Sequence, residues 1–185
     1  MHNDRTEMMF DIETLGTRAG CAVLSFAALV YTSTKGTVLG GAGFPLDIPS
    51  QIRKGLHVDE GTAAWWATQP DGAWGAATAD PVSVTYAVRL LDELVAKHQP
   101  ERIYCQGMDF DFPIFAEVRR RFGLGAGWEH WKQRDTRTLY EEHGFNPKAM
   151  ARSGVHHDAL YDCQHQIACV IAARGVRAAA PESSK

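Results

Sequence analysis

The chain of 185 residues contains no apolar run long enough to cross a bilayer, and residues 1–5 lack the apolar core of a signal peptide. It also has no excess of positive charge: the chain contains 19 Lys and Arg residues and 22 Asp and Glu residues, which gives a formal net charge of −3. We therefore expect a cytoplasmic protein without a membrane partner. This net charge argues against a protein that binds nucleic acid over its whole surface, although it permits a local basic patch.

Cysteine is also scarce, and the chain has no CxxC pair. The four cysteines are scattered: Cys21, Cys105, Cys163 and Cys169. Three of them lie in apolar stretches, so we expect buried free thiols in a reducing compartment rather than disulfides or zinc ligands. Repeats and a second domain are absent as well. We expect a flexible N-terminus over 1–7, one domain over 8–175 and a flexible tail over 176–185.

The order of the apolar segments predicts an α/β domain. A buried strand is expected at 8–13, an antiparallel hairpin over 22–39 and a short strand at 102–105. Helices are expected between and after them, one of which begins with Asp80 as N-cap and Pro81 at its first position. This alternation predicts a mixed sheet with helices packed on it.

The first strand ends in two carboxylates, Asp11 and Glu13. Residues two apart in a strand point to the same face, so these side chains are expected side by side. Repulsion and burial penalise both charges, and a hard divalent cation such as Mg²⁺ between them removes both costs. A strand that runs out into an acidic loop explains the pair equally well, so other residues must decide.

Two further carboxylates, Asp111 and Asp162, stand at predicted helix starts, and His157 precedes Asp162 by five residues. Each alone has an ordinary explanation as a helix cap or a first-turn acid. Together with Asp11 and Glu13 they predict a two-metal hydrolase. Two cations about 4 Å apart stabilise the attacking and leaving oxygens of a phosphodiester. A histidine with a pKa near neutral can take the proton from the attacking water.

Aromatic and basic residues add candidates for nucleic-acid contact. Of the adjacent Trp65 and Trp66 we expect one in the core, while the other is a candidate stacking surface for a base. The run 119–121 is three arginines at a predicted helix end, which is either a solvated end that complements the helix dipole or a phosphate-binding patch. Arg134 and Arg137 flank Asp135, a pattern typical of an internal ion pair.

Three segments in this order resemble the three motifs of the DEDDh 3′→5′ exonucleases. They are Asp11-Ile12-Glu13-Thr14-Leu15-Gly16, Gly107-Met108-Asp109-Phe110-Asp111 and His157-Asp158-Ala159-Leu160-Tyr161-Asp162, the last of the form H-x-A-x-x-D. The resemblance covers 8–175. The stretches 62–69 and 131–138 are most similar to phage exonuclease-eight-like proteins and to the bacterial exoribonuclease RNase AS.

The resemblance implies a ribonuclease H-like fold, with a central mixed five-stranded sheet flanked by helices. It implies that two ions, Mg²⁺ or Mn²⁺, are held by Asp11, Glu13, Asp111 and Asp162, with His157 as the general base. It further implies release of nucleoside 5′-monophosphates from single-stranded 3′ ends of RNA or DNA, and a possible homodimer. The residues implied in substrate contact are Thr14, Leu15, Trp65, Trp66, Arg134 and Arg137.

Two alternatives use the same residues differently. A nucleic-acid-binding module would use the tryptophans and 119–121 without turnover, and an endonuclease would apply the same two-metal chemistry to internal bonds. The complete set of five residues speaks against the first alternative, and the ordered third motif against the second. RNA and DNA are not distinguished, because no residue type here announces a contact to a 2′-hydroxyl.

Overall fold

A computed structural model of the chain describes residues 4–70, 72–152, 154 and 156–179. Within these residues one sheet has the strand order β3-β2-β1-β4-β5. The strands are β1 (Thr6–Thr14), β2 (Val23–Thr32), β3 (Val38–Pro45), β4 (Arg102–Cys105) and β5 (Gln133–Asp135). β1 to β3 are antiparallel, whereas β4 and β5 run parallel to β1. This confirms the predicted α/β architecture with a mixed five-stranded sheet.

Helices cover both faces of the sheet. They are α1 (Ile48–Arg53), α2 (Glu60–Trp66), α3 (Ala73–Thr78), α4 (Val84–His98), α5 (Asp111–Arg121), α6 (Thr136–Glu142) and α7 (Ala159–Ala179), with 3-10 turns at His130–Lys132 and Pro147–Ala149. Helices α3, α4 and α5 share one buried cluster with the sheet, and α6 and α7 share the cluster on the opposite face. No helix in the described ranges is both long and apolar enough to span a bilayer.

Side-chain alternation along β1 separates these two layers. Met8, Phe10 and Ile12 lie in the cluster with α4 and α5, whereas Met9 lies in the cluster with α7. Because the period of a strand is two residues, Asp11 and Glu13 share the face of Met9. The central strand therefore carries its two carboxylates towards α7, which also carries Asp162.

An ion pair ties the start of β1 to α7. Glu7 is 1% exposed, and Arg174 Nη2 donates to its two carboxylate oxygens at 2.9 and 3.1 Å. This partner explains why β1 begins at Thr6, inside the predicted flexible N-terminus, and α7 likewise continues past 175 to Ala179. Residues 1–3 and 180–185 of the predicted tails lie outside the described residues, and the domain bounds stay a prediction.

The predicted start of α4 at Asp80 is wrong, because the backbone at Val82 pairs with the chain at the end of β3. Val82 N donates to Pro45 O at 3.0 Å, and Asp47 N donates to Val82 O at 2.9 Å. The helix begins only after Ser83, whose side chain accepts from Tyr86 N. The predicted buried thiols are confirmed, since all four cysteines are buried and free.

The three arginines at the end of α5, residues 119–121, all form ion pairs. Arg119 is 3% exposed, and its two terminal nitrogens donate to the two carboxylate oxygens of Asp92, both at 2.9 Å. Arg120 and Arg121 both donate to Glu117. Burial of Arg119 corrects the expectation of a fully solvated helix end, and it removes this guanidinium from any phosphate-binding patch.

Replacing Arg119 with Met is expected to lower the free energy of unfolding by about 3 kcal/mol, because Asp92 and Gly125 O lose their charged donor. Arg120→Met is the matched control: it removes an exposed i,i+3 pair and is expected to cost less than about 1 kcal/mol. Urea denaturation of both variants measures the difference. Equal stability of the two variants would contradict the structural role of Arg119.

Candidate active site

Three distant segments of the chain meet at one end of β1. Asp11 and Glu13 close the strand, Asp111 is the first residue of α5, and Asp162 lies in the first turn of α7. His157 lies in the loop that leads into α7. Ligand atoms of Glu13, His157 and Asp162 all lie within 4.8 Å of one another. The structure thus brings together all five residues that the sequence predicts as the catalytic set.

The backbone around Gly107 places Asp111. β4 lies parallel to β1, so the chain leaves β4 at the same end of the sheet where Asp11 and Glu13 stand. Gly107 has φ +126°, a conformation that favours glycine, and its carbonyl accepts from Asp111 N. Asp111 Oδ1 then accepts a hydrogen bond from Ile12 N at 3.2 Å. Ile12 is the residue between Asp11 and Glu13, so this bond holds the Asp111 carboxylate close to both of them.

Asp11 has a side-chain partner that the sequence did not predict. Gln166 lies one turn beyond Asp162 on α7, and its Nε2 donates to Asp11 Oδ1 at 2.7 Å. Gln166 is 3% exposed and Asp11 9% exposed, so this contact lies inside the protein. The i,i+4 spacing from Asp162 places Gln166 on the same helix face and was a signal present in the sequence.

All four carboxyl groups have raised pKa values, and neighbouring carboxylates contribute to the shift of Asp11 and Glu13. Burial is the largest cause for Asp11, whose pKa lies well above its usual value, followed by the charges of Asp111, Glu13 and Asp162. Burial together with Asp162 and Asp111 raises the pKa of Glu13 to about 8. Burial also raises the pKa of Asp111, against the hydrogen bond from Ile12 N, and the pKa of Asp162, against Arg152.

His157 lies against two tryptophan rings. The His157 ring is edge-to-face with Trp65 at 4.8 Å between centroids and with Trp66 at 5.9 Å. Its backbone adopts φ +61°, which is uncommon for a residue other than glycine and marks a constrained loop. Burial lowers the pKa of His157, as do the cationic neighbours His156 and Arg152, while Asp162 opposes them. The imidazole is therefore mostly neutral at pH 7.

Two residues of the loop before α7 have roles that the sequence analysis did not assign. Arg152 Nη2 pairs with Asp162 Oδ1, so a cationic side chain reaches the acidic cluster. Asp158 Oδ1 accepts from Leu160 N at 2.9 Å and from Tyr161 N at 3.3 Å. Asp158 is thus a cap at the start of α7, which orients Asp162 one turn further on.

A cavity of about 520 Å³ opens beside Glu13. It is lined by Thr14, Gly16, Thr62, Trp65 and Trp66 among others. Trp65 is 42% exposed, whereas Trp66 is 3% exposed and its Nε1 donates to Thr14 O at 2.8 Å. This division confirms the expectation of one core tryptophan, and it leaves Trp65 as the ring with a free face.

The other predicted substrate residues are placed differently. Leu15 is 4% exposed and lies in the core. Arg134 Nη1 donates to the carbonyls of Trp131 and Gln133, so it is engaged with its own loop. Arg137 comes closer, since its guanidinium lies beside Gly107 and opposes the raised pKa of Asp111. Asp135 accepts from Met108 N and Arg137 N rather than forming the expected ion pair.

The donor set of this cluster fits a hard divalent cation. Carboxylate oxygens and a histidine nitrogen converge in it, and three of these residues already lie within bonding reach of a shared ion. Burial is the largest cause of the raised pKa values of Asp11 and Glu13, and the neighbouring carboxylates raise them further, as expected where negative charge gathers. Arg152 and Arg137 are arginines that act on these carboxyl groups, and neighbouring histidines also lower the pKa of Asp162.

The raised carboxylate pKa values predict an inverted pH dependence of stability. The folded metal-free protein holds protons on Glu13 and Asp11 more tightly than the unfolded chain, so stability is present near pH 4.5 and is lost as pH rises towards 8. A loss on the order of 3 kcal/mol is expected between these pH values. Thermal denaturation in EDTA measures it, and Mn²⁺ is expected to restore the loss at pH 8.

Glu13→Gln serves as the control for this pH effect, because it removes one titrating group without changing volume. The variant is expected to show a shallower fall in stability with pH and a smaller gain on addition of Mn²⁺. A wild-type protein that becomes more stable between pH 5 and 8 in EDTA would contradict the assignment of repelling carboxylates.

The chain matches the model of one protein family over nearly its whole length. The family is described as the 3'-5' exoribonuclease Rv2179c-like domain, and the match covers residues 6–173. A curated relative is the exodeoxyribonuclease of Enterobacteria phage T4, 24% identical over 194 residues that make up 87% of this chain and 86% of the relative. One relative is thus named for RNA and the other for DNA.

Solved structures share the fold at low sequence identity. E. coli Exonuclease I in complex with a dT13 oligonucleotide superposes with a TM-score of 0.63 at 16% identity over 94% of this chain. The present chain spans 42% of that Exonuclease I chain. The nuclease domain of 3'hExo, a DEDDh family member bound to rAMP, superposes with a TM-score of 0.63 at 8% identity over 96% of this chain and 94% of that domain.

The solved structures, one of them a DEDDh family member, confirm the predicted ribonuclease H-like fold. The family match confirms the assignment as a 3′→5′ exonuclease. The three motifs named in the sequence all lie within residues 6–173, the part of the chain that the family model covers. The chain therefore belongs to the 3'-5' exoribonuclease Rv2179c-like domain family.

Proposed function

We propose that this chain is a divalent-metal-dependent exonuclease that shortens single-stranded nucleic acid from its 3′ end and releases nucleoside 5′-monophosphates. The observation that carries the proposal is the convergence of Asp11, Glu13, Asp111 and Asp162 with His157 at one end of the central strand. The four carboxylates come from three distant segments. A fold has no structural need to bury four mutually repelling carboxylates, so their gathering favours a functional site.

Asp11, Glu13, Asp111 and Asp162 would hold two divalent ions, Mg²⁺ or Mn²⁺. Bound ions of this kind lower the pKa of a coordinated water and neutralise charge on the attacking and leaving oxygens of a phosphodiester. The protein's part is to fix these carboxylates: Ile12 N and Gln166 Nε2 hold Asp111 and Asp11, and the helix cap by Asp158 orients the turn that carries Asp162.

His157 would act as the general base. Its lowered pKa keeps the imidazole unprotonated at neutral pH, so a ring nitrogen is free to accept a proton from the attacking water. The rings of Trp65 and Trp66 hold it in orientation, and Asp162 beside it stabilises the imidazolium that forms. Its location in the loop before α7 leaves it half-buried, within reach of a substrate.

The cavity beside Glu13 would receive the terminal nucleotide. Its volume of about 520 Å³ lies within the usual range for small-ligand sites. The free face of Trp65 would stack on the base, an interaction that tolerates every base. A splayed single-stranded end can enter such a site, whereas an internal nucleotide of a duplex cannot.

The relatives support both sugars as substrates. The matched family is named for exoribonuclease activity and the phage relative for exodeoxyribonuclease activity. We therefore include RNA and DNA 3′ ends in the proposal. The homodimer and the cytoplasmic location stay predictions.

A comparison of linear and circular single strands tests the exonuclease proposal. With Mn²⁺, the linear strand is expected to yield nucleoside 5′-monophosphates, and a circular strand of equal sequence is expected to stay intact. Cutting of the circle would identify an endonuclease. Binding of the linear strand without any mononucleotide product would identify a binding module instead.

Replacing Trp65 with Ala is expected to raise the KM for a single-stranded oligonucleotide by about 5- to 150-fold, because one base loses a stacking platform worth roughly 1–3 kcal/mol. Steady-state kinetics on a labelled oligonucleotide measure this change. Trp131→Ala is the matched control, since Trp131 is 63% exposed but lies outside the cavity, and its KM is expected to stay at the wild-type value. Equal KM values for the two variants would remove Trp65 from the substrate site.

A further inference from the structure

Gln166 is a buried side chain with unusual surroundings. It lies on α7, is 3% exposed, and reaches across to the central strand, where its Nε2 donates to Asp11 Oδ1 at 2.7 Å. Asp111, Glu13 and Asp162 lie close enough to Asp11 for their charges to raise its pKa. Gln166 therefore links the helix that carries Asp162 directly to a carboxylate of the acidic site.

The other end of the same amide lacks a partner. Gln166 Oε1 is buried and accepts no hydrogen bond from any residue that the structure describes. A buried amide oxygen without a donor costs roughly 1–3 kcal/mol, so a purely structural glutamine at this position would be poorly placed. An unpaired buried amide of this kind therefore indicates a functional role for the side chain. A water molecule bound in the site can donate the missing hydrogen bond.

We infer that Gln166 is a positioning residue for the metal centre: its amide fixes one oxygen of Asp11 and so orients the other oxygen towards the ions. The inference rests on the proposed function, because it concerns the same carboxylate cluster. Groups that orient a metal ligand in this way commonly change metal affinity by 10- to 100-fold when they are removed. Gln166 touches Asp11 and neither the substrate nor the reacting atoms, so its effect is indirect.

The geometry on α7 supports this role. Asp162 and Gln166 are four residues apart, so one helix face presents a carboxylate and an amide to the same site. Gln164, two residues before Gln166, points away and is exposed. Gln164 therefore serves as a control, because it is a glutamine on the same helix that does not contact the carboxylate cluster.

Calorimetric titration of MnCl₂ into the metal-free full chain tests the inference. Gln166→Met keeps the volume and removes the donor, and Gln166→Asn keeps the amide but shortens its reach. Both are expected to bind Mn²⁺ about 10- to 100-fold more weakly than the wild type. Both are also expected to show a lower kcat with an unchanged KM for a labelled oligonucleotide. Gln164→Met is expected to match the wild type in every measurement.

The outcomes separate this inference from the proposed function. If the wild type binds Mn²⁺ and Asp11→Asn does not, the metal site stands whatever Gln166 does. Wild-type Mn²⁺ affinity in the Gln166 variants, together with a lower melting temperature, would make Gln166 a structural residue and overturn the inference alone. If Gln166→Met does not fold, Gln166→Asn decides between these results. A wild type that binds no Mn²⁺ would overturn the proposed function and this inference together.

Discussion

Asp11→Asn is expected to lower the rate of nucleotide release by at least about 10³-fold, because ligation of the ions supplies several kcal/mol of transition-state stabilisation. The variant is expected to fold, since asparagine has the same shape and its Oδ1 still accepts from Gln166 Nε2. In EDTA at pH 8 it should melt at a higher temperature than the wild type, because one charge that repels Glu13, Asp111 and Asp162 is gone.

Lower activity together with a higher melting temperature indicates a residue that is needed for function although its charge destabilises the fold. Activity is measured on a 5′-labelled oligonucleotide in Mn²⁺, and stability by thermal denaturation in EDTA. Asp158→Asn is the control, because Asp158 is an acidic neighbour whose cap to α7 an asparagine can replace. It is expected to keep activity within about threefold. An Asp11→Asn variant that is fully active would contradict the assignment of Asp11 as a metal ligand.

His157→Ala is expected to reduce kcat by roughly 10²- to 10⁴-fold, the usual contribution of a general base. The KM for the oligonucleotide should change little, because the cavity beside Glu13 remains. Since burial and neighbouring cations lower the pKa of His157, the base is unprotonated at neutral pH. The wild-type rate should therefore stay high as the pH falls to 6.5 and decline only below it.

His156→Ala is the matched control for this experiment. The two histidines are adjacent, with ring centroids 6.1 Å apart, but His156 is exposed and lies outside the group whose ligand atoms converge. Its loss should leave kcat within about threefold of the wild type and raise the pKa of His157 slightly. If both variants lose activity equally, the loop conformation rather than proton transfer by His157 would explain the loss.

The sequence was sufficient for the features that depend on local periodicity. Alternation along β1 predicts that Asp11 and Glu13 share a face, and the structure places Met9 on that same face, against α7. The spacing of the third motif likewise predicts a histidine and a carboxylate at one helix start. These predictions need only the geometry of a single strand or helix, together with the burial of apolar residues.

Elements that depend on distant partners were not predictable in this way. β5 is three polar residues, Gln133–Asp135, and exists as a strand because it pairs with β4. α3 is six mostly small residues, with an exposed Trp74, and its buried Ala73 and Ala77 pack on the sheet. Neither segment has the periodic large apolar residues from which elements are inferred, so tertiary contacts decide their structure.

The same reason explains the residues of the site that the sequence left unassigned. Arg152 reaches Asp162 across ten positions, and Gln166 reaches Asp11 across 155. Arg119 is buried because it meets Asp92 on another helix, although its sequence context is a run of three arginines. Each of these contacts becomes visible only when the strands and helices are placed side by side.

The most direct test of the central claim is a time course on 5′-labelled single-stranded RNA and DNA of equal sequence, in Mg²⁺, in Mn²⁺ and in EDTA. The site described here predicts a ladder of products that shortens from the 3′ end in at least one metal, with no shortening in EDTA. Products that shorten at an equal rate in EDTA, or polymers that stay intact in both metals, would contradict a metal-dependent 3′→5′ exonuclease at Asp11, Glu13, Asp111, His157 and Asp162.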